Sequence, residues 1–460
     1  MILMPMAKRT TKADYILEGS MARAVFHLAA PAITSQLLAT TLTIVDRLWI
    51  GRLGADAMAA LGAAMFLLWI LYALSGILQV GTVSLVARFV GMRDLPRAVH
   101  VAQQALTFGC FGSAIVTVFG INGLVPLFQL MDLTPAVAIL SYDYMQIFLA
   151  SSLLMFLLPV QDGILRGSGD TKTPMKVMFL VTVINLVLDP ILIFGWGPIP
   201  ALGVTGAALA SVFAQLTGVT IFFVLLTGTR LRLRVPFEKQ VQLNFRTLHR
   251  IVKIGLPPSV AGLCFLMIYI VITKIINMLD ATYALAALTI GITVESLSYL
   301  VSVGFATAAS TIVGQNLGAN QLARAEAGAW MSAKITVWLM MLTTLVYLIF
   351  PEWIARIFSS DPQVIEIASR YIRIASFAQM FMGLGIVIDG AFSGAGDTVP
   401  PMIISSTFAI SRAPFAYVLS IVLEFGVDAV WWVISLSAVF RGITSAIWFA
   451  RGRWKNKLQV

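Results

Sequence analysis

Residues 161–175 read QDGILRGSGDTKTPM, and residues 388–402 read IDGAFSGAGDTVPPM. Asp162, Gly163, Gly167, Gly169, Asp170, Thr171, Pro174 and Met175 recur as Asp389, Gly390, Gly394, Gly396, Asp397, Thr398, Pro401 and Met402, each 227 residues further on. Eight matches in a fourteen-residue window stand far above the roughly one expected from average residue usage. The same spacing relates Gly91, Arg97 and Ala98 to Gly318, Arg324 and Ala325, Tyr144 and Ile147 to Tyr371 and Ile374, and Pro135 to Pro362. The chain is therefore a duplicated unit. Inside the motif, glycines permit a tight turn, Asp170 or Asp397 suits the cap of the following helix, and Pro174 or Pro401 suits its first turn.

Composition says what the unit is. Of 460 residues, 59% are hydrophobic and 11% charged, with a mean hydropathy of +0.91; soluble domains carry about a quarter charged residues. A membrane-spanning helix takes about 20 apolar residues. Apolar stretches fall at 25–50, 57–88, 100–127, 137–165, 173–195, 203–227, 251–278, 283–311, 327–350, 366–391, 400–423 and 428–450, twelve expected helices because lipid tolerates no loose backbone. Six spans per copy is an even number, so both copies enter the membrane alike and form parallel repeats about an axis along the membrane normal. The expected fold is an all-α integral membrane protein, with two six-helix lobes around a central cleft. Residues 1–24 form an N-terminal segment, 25–228 the N-lobe, 229–250 a linker, 251–450 the C-lobe and 451–460 a tail.

The net charge of +10 is topological and calls for no nucleic acid. Lys8, Arg9, Lys12 and Arg23 precede the first span; Arg88, Arg93, Arg97, Arg166, Lys172 and Lys176 fall in later loops on the same side. Arg230, Arg232, Arg234, Lys239, Arg246, Arg250 and Lys253 crowd the linker, and Arg451, Arg453, Lys455 and Lys457 the tail. Alternate loops show Asp132, Asp280, Asp361 and Asp428, so both termini are expected in the cytoplasm. Cys110 and Cys264 sit in apolar runs and read as packing residues. His27, His100 and His249 fall at span ends, away from any proton relay at mid-membrane.

Ionisable residues inside spans cost about 2.5–3.5 kcal/mol each and are functional candidates. The first half holds Asp46, Asp162 and Asp189, with Asn185 one helical turn before Asp189. At the 227 spacing, Asp46 becomes Thr273, Asn185 becomes Arg412 and Asp189 becomes Ala416. Two carboxylates in a low-dielectric site do not both stay bare: one takes up a proton, or a cation neutralises them. Na⁺ would also accept the oxygens of Asn185 and Ser211, as hard cations do. In the second half Glu295 and Arg412 form a pair that is either structural or functional, and Asp389 repeats Asp162.

LRGSGDTKTPM, its copy FSGAGDTVPPM, and NLVLDPILIFG together resemble the multidrug and toxic compound extrusion family, in the branch with DinF-like and archaeal members. The likeness runs over essentially the whole chain. It implies an antiporter that exports drugs or metabolites in exchange for H⁺ or Na⁺ by rocking two lobes. Asp46, Asn185, Asp189 and Ser211 match the family's N-lobe cation site, with Ser211 in place of a threonine. Pro31 matches the proline at which the first helix bends. Gln36, Asp162, Met178 and Gln215 match positions lining the N-lobe cavity, where Asp162 replaces an asparagine and adds an anionic contact for cationic substrates. Phe265 stands where other branches carry an acid, which speaks against a C-lobe ion site of that kind.

The expectation is a multi-pass, monomeric efflux antiporter of the cell (inner) membrane. Small-molecule drugs or metabolites and the bilayer are its partners, and no cofactor or metal is expected beyond H⁺ or Na⁺. The alternative, a flippase of lipid-linked precursors or polysaccharide in the same superfamily, calls for a cationic cavity. An enzyme would need a nucleophile, base or metal cluster, and the sequence offers no HExxH, histidine pair or GxSxG.

Overall fold

The computed structural model describes residues 14–229, 231, 233–236, 242–279 and 282–457. Lys8, Arg9, Lys12, Arg230, Arg232, Lys239 and Asp280 lie outside the described residues. A short α1 (Asp14–Leu17) precedes the spans of the first half: α2 Met21–Gly51, α3 Ala55–Gly91, α4 Leu95–Leu130, α5 Pro135–Ala150, α6 Ser152–Gly167, α7 Lys172–Phe194 and α8 Gly203–Thr227. The second half runs α9 Phe245–Asn277, α10 Thr282–Gly318, α11 Leu322–Ile349, α12 Pro351–Phe358, α13 Pro362–Ser376, α14 Gln379–Ala395, α15 Val399–Tyr417 and α16 Gly426–Ala450.

Ten helices are long and apolar enough to cross a membrane singly. The other two spans, expected as continuous helices over 137–165 and 366–391, are broken. α5 and α6 meet at 53°, and α13 and α14 at 55°. The breaks lie at equivalent places, Ser151 and Ala378, 227 residues apart. A break exposes backbone carbonyls that hydrocarbon cannot satisfy, so a neighbour must supply donors. Thr117 Oγ1 donates to the Leu149 carbonyl at 2.8 Å, and Thr344 Oγ1 to the Ser376 carbonyl at 2.8 Å.

The repeated motif makes the same turn twice. Gly169 and Gly396 adopt positive φ, 91° and 75°, where a side chain is strained. Asp170 caps as expected: its Oδ1 accepts from the backbone N–H groups of Lys172 (3.1 Å) and Thr173 (3.0 Å). Asp397 does not. Pro400 stands where Thr173 supplied an N–H, and the Asp397 carboxylate instead meets Lys457 Nζ of the tail at 3.0 Å.

The two six-helix lobes trade their first helix halves. Ala24, Val25, Leu28 and Ala29 of α2 are buried in the core of α10, α11, α14 and α16, and Ile251 and Ile254 of α9 in the core of α3, α4, α6 and α7. Small residues let the lobes close at this end. Gly91 lies on the backbone of Gln315 and Gly318 on that of Arg88, while Gly81 meets Ile251 and Gly255 meets Ile77. Ser84 and Thr311 donate across the boundary to the carbonyls of Gly394 (3.4 Å) and Arg166 (3.1 Å). α1 and the tail flank this seam: Asn316 and Arg324 of the C-lobe hold the Ile16 carbonyl, and Lys455 Nζ meets Glu326 at 2.6 Å. Further along α3 and α10, Trp69, Tyr72, Leu297 and Tyr299 are exposed, marking where the lobes part into the cleft.

Candidate functional site

α2, α7 and α8 converge in the N-lobe and bring Asp46, Asn185, Asp189 and Ser211 into one polar cage. All four are at most 9% exposed. Asn185 and Asp189 share a face of α7 by their four-residue spacing, and Asn185 Nδ2 donates to Asp189 Oδ1 at 3.2 Å. The same amide donates to Ser211 Oγ at 3.3 Å, and Ser211 Oγ donates to Asp46 Oδ2 at 3.5 Å. The Asp46 and Asp189 carboxyls interact directly. Asp46 Oδ1, Asn185 Oδ1 and Asp189 Oδ2 remain buried without a hydrogen-bond partner. Each is an oxygen, so the cage presents acceptors and lacks a positive charge.

Buried polar atoms without partners are costly and rare, and three converging oxygens are the donor set that a proton or a small hard cation fills. Among the described residues no group of three or more His, Cys, Asp or Glu side chains could hold a metal ion. The carboxylate, amide and hydroxyl set suits H⁺ or Na⁺ better than a soft transition metal. Tyr72 and Tyr144 stand within electrostatic reach of Asp46. The recurrence of Tyr144 as Tyr371 is a sequence signal for Tyr144, whereas nothing in the sequence points to Tyr72.

Asp162 departs from the sequence reading of a free anion in the cavity wall. Arg166, expected in a loop, lies on α6 one turn after Asp162, and its Nε reaches the carboxylate at 2.7 Å. Gln79 Nε2 donates to Asp162 Oδ2 at 2.9 Å. The helix carries its own counter-ion, so Asp162 offers a substrate little net charge. Gln36, Met178 and Gln215 are half-buried on α2, α7 and α8, and among the described residues no hydrogen bond joins them. Pro31 is buried inside α2, which continues through it, with Ser35 Oγ donating to the Pro31 carbonyl at 2.9 Å.

The C-lobe holds a second polar group. Asp389 meets Arg441 of α16, with Ser405 Oγ and Ser445 Oγ each donating to it at 3.5 Å. Arg441 escapes the sequence reading, although a lone arginine within an apolar span is the available signal. Glu295 accepts from Tyr371 Oη at 3.0 Å and from Gln379 Nε2 at 3.2 Å. Arg412, expected as its ion-pair partner, donates instead from Nε to Ser437 Oγ at 2.7 Å and lies over the rings of Phe265 and Tyr269.

Two parallel six-helix lobes and a buried ion cage define a membrane transporter. A family model, MatE, matches residues 31–191 and 257–418, one segment in each repeat, and the chain belongs to that family, whose members are transporters and not enzymes. The probable multidrug resistance protein NorM of Thermotoga maritima is 26% identical over 437 residues, 94% of this chain and 92% of its own length. The FAD transporter of Shewanella oneidensis is 29% identical over 378 residues, 81% of this chain and 82% of its own. A solved MOP superfamily transporter from Pyrococcus furiosus is similar with a TM-score of 0.90 at 24% identity, over 97% of this chain and 99% of that one. That likeness establishes the fold.

Proposed function

We propose that this chain is a secondary antiporter that exports small organic compounds, drugs or metabolites, often cationic, in exchange for H⁺ or Na⁺ entering the N-lobe cage. The observation that carries the reading is the set of unpartnered buried oxygens on Asp46, Asn185 and Asp189. A cation bound there would neutralise the carboxylates and redraw the hydrogen bonds between α2, α7 and α8. α2 also carries Pro31, whose missing N–H makes a bend inexpensive, and its first half is buried in the other lobe. A change at Asp46 is thereby linked to the lobe boundary, and substrate in the cleft is expelled as α2 moves. Each net charge carried inward gains about 2.3 kcal/mol per 100 mV of membrane potential.

In this reading Gln36, Asp162, Met178 and Gln215 line the substrate cavity, with Asp162 acting as one half of an ion pair. The lobes span residues 25–228 and 251–450, joined by the 229–250 linker, and the protein works as a monomer in the cell membrane. Both termini, with segments 1–24 and 451–460, face the cytoplasm, which makes the sealed end of the structure the cytoplasmic one. The lipid-precursor flippase is less favoured, because the N-lobe acids outnumber its single paired arginine. Everted vesicles test the proposal: an imposed pH or Na⁺ gradient should drive movement of a fluorescent dye in wild type and fail in Asp46→Asn. Dye movement indifferent to both gradients, or intact in the variant, would overturn antiport through this cage.

A further inference from the structure

The two lobes hold corresponding cages of opposite character. Tyr144, beside the N-lobe carboxylates, corresponds to Tyr371, which donates to Glu295 at 3.0 Å. Asn185, the hub of the N-lobe cage, corresponds to Arg412. The acids do not correspond: Asp46 and Asp189 become Thr273 and Ala416, and the C-lobe supplies Glu295 from α10. The unpartnered atoms show what each cage lacks. In the N-lobe they are three oxygens, two of them on carboxylates. In the C-lobe, both Glu295 oxygens are taken, by Tyr371 and Gln379, and the buried atoms left over are Gln379 Oε1, an acceptor, and Arg412 Nη1, a donor. The groups that face Glu295 from the surrounding helices are Tyr269, Tyr347, Tyr371, Gln379 and Arg412, and only Arg412 among them is positively charged.

We propose that Arg412 is the resident cation of the second lobe: its guanidinium does permanently for Glu295 what an exchanged ion does for Asp46 and Asp189, so the C-lobe cage takes up no mobile cation. Arg412 is well suited to the task. It stays protonated at any physiological pH, Ser437 fixes its Nε, and the faces of Phe265 and Tyr269 hold the rest of the group at 5.5 and 5.9 Å, a contact worth more when desolvated. The duplicated unit thereby becomes asymmetric, with one lobe exchanging ions and the other holding a fixed charge. This inference deepens the antiport reading by assigning a stoichiometry of one cation site per chain, and it rests on that reading for the N-lobe half alone.

The test counts bound cations on purified full-length protein, using ²²Na⁺ in one arm and proton uptake after a pH step in the other. Whichever cation binds, wild type should take up about one per chain and Asp46→Asn none. Arg412→Gln should take up about one more than wild type, because Glu295 then needs a mobile counter-ion. The double variant Glu295→Gln with Arg412→Gln, which replaces the charged pair by neutral amides, should return to the wild-type count. Thermal melting restricts the comparison to folded variants, and the double variant serves where the single one fails to fold. An Arg412→Gln protein that folds and gains no cation overturns the proposal, as does a double variant that falls below wild type. If wild type binds neither cation while Arg412→Gln gains one, antiport through the N-lobe cage falls and the role of Arg412 stands.

Discussion

Thr117 and Thr344, 227 residues apart, make the same hydrogen bond to the same place in the fold, the carbonyl exposed where a spanning helix breaks. Thr117→Val or Thr344→Val keeps the shape and removes the donor. Interhelical hydrogen bonds in membranes average about 0.6 kcal/mol and reach about 2, so each variant should melt a few degrees lower in detergent. Serine at either position should restore most of the loss. A valine variant as stable as wild type would show that water or another helix satisfies the carbonyl.

Gly91 and Gly318 allow the lobes to touch, since a Cβ at either would run into the backbone of Gln315 or Arg88. Overpacking of this kind costs about 1–3 kcal/mol. Gly91→Val should loosen the sealed end specifically. A cysteine replacing Ser84, which is buried at the seam, should then react with a soluble maleimide several-fold faster than in the Gly91 background. Equal rates would mean that the seam closes through other contacts.

Asp162→Asn leaves Arg166 without its counter-ion in a site where the pair is 15% and 10% exposed. Removing one partner of a buried pair costs about 3–5 kcal/mol, with the lower end expected here because Gln79 remains nearby. Loss of folded protein is the predicted phenotype, measured by size-exclusion profile and melting. Asp162→Asn combined with Arg166→Gln should recover most of it. A single variant of normal stability and altered preference for cationic compounds would show that Asp162 contacts substrate as a free charge.

Ser211→Ala removes the hydroxyl that joins Asn185 to Asp46 and leaves both carboxylates in place. A hydrogen bond of this kind is worth about 1 kcal/mol, which corresponds to roughly a five-fold weaker cation affinity, read as a shift in the ion concentration that half-saturates dye efflux. Threonine at this position should behave as wild type. An unchanged midpoint would show that Ser211 only packs.

The cage is legible in the amino-acid sequence because its members announce themselves locally. Asn185 and Asp189 are one helical turn apart in an apolar span, and the absence of their counterparts from the second repeat sets them apart from the scaffold. Asp162 shows the opposite case: the sequence marks it as a charge at membrane depth, but whether it is free depends on how Arg166 turns on the same helix. Arg441 and Tyr72 do not stand out in the sequence, because their significance comes from Asp389 and Asp46, on other helices.

The sequence alone determined the twelve spans, the duplication and the N-lobe carboxylates. Lipid admits only backbone that satisfies itself, so composition and spacing translate directly into helices, and every charge left inside them demands an explanation. Tertiary structure decided which charges are spoken for, where two spans break, and which end of the cleft is sealed. Those outcomes rest on contacts between residues far apart in the chain, Arg441 with Asp389, Thr344 with Ser376, Gly91 with Gln315, and no local pattern encodes the helix that a side chain will face.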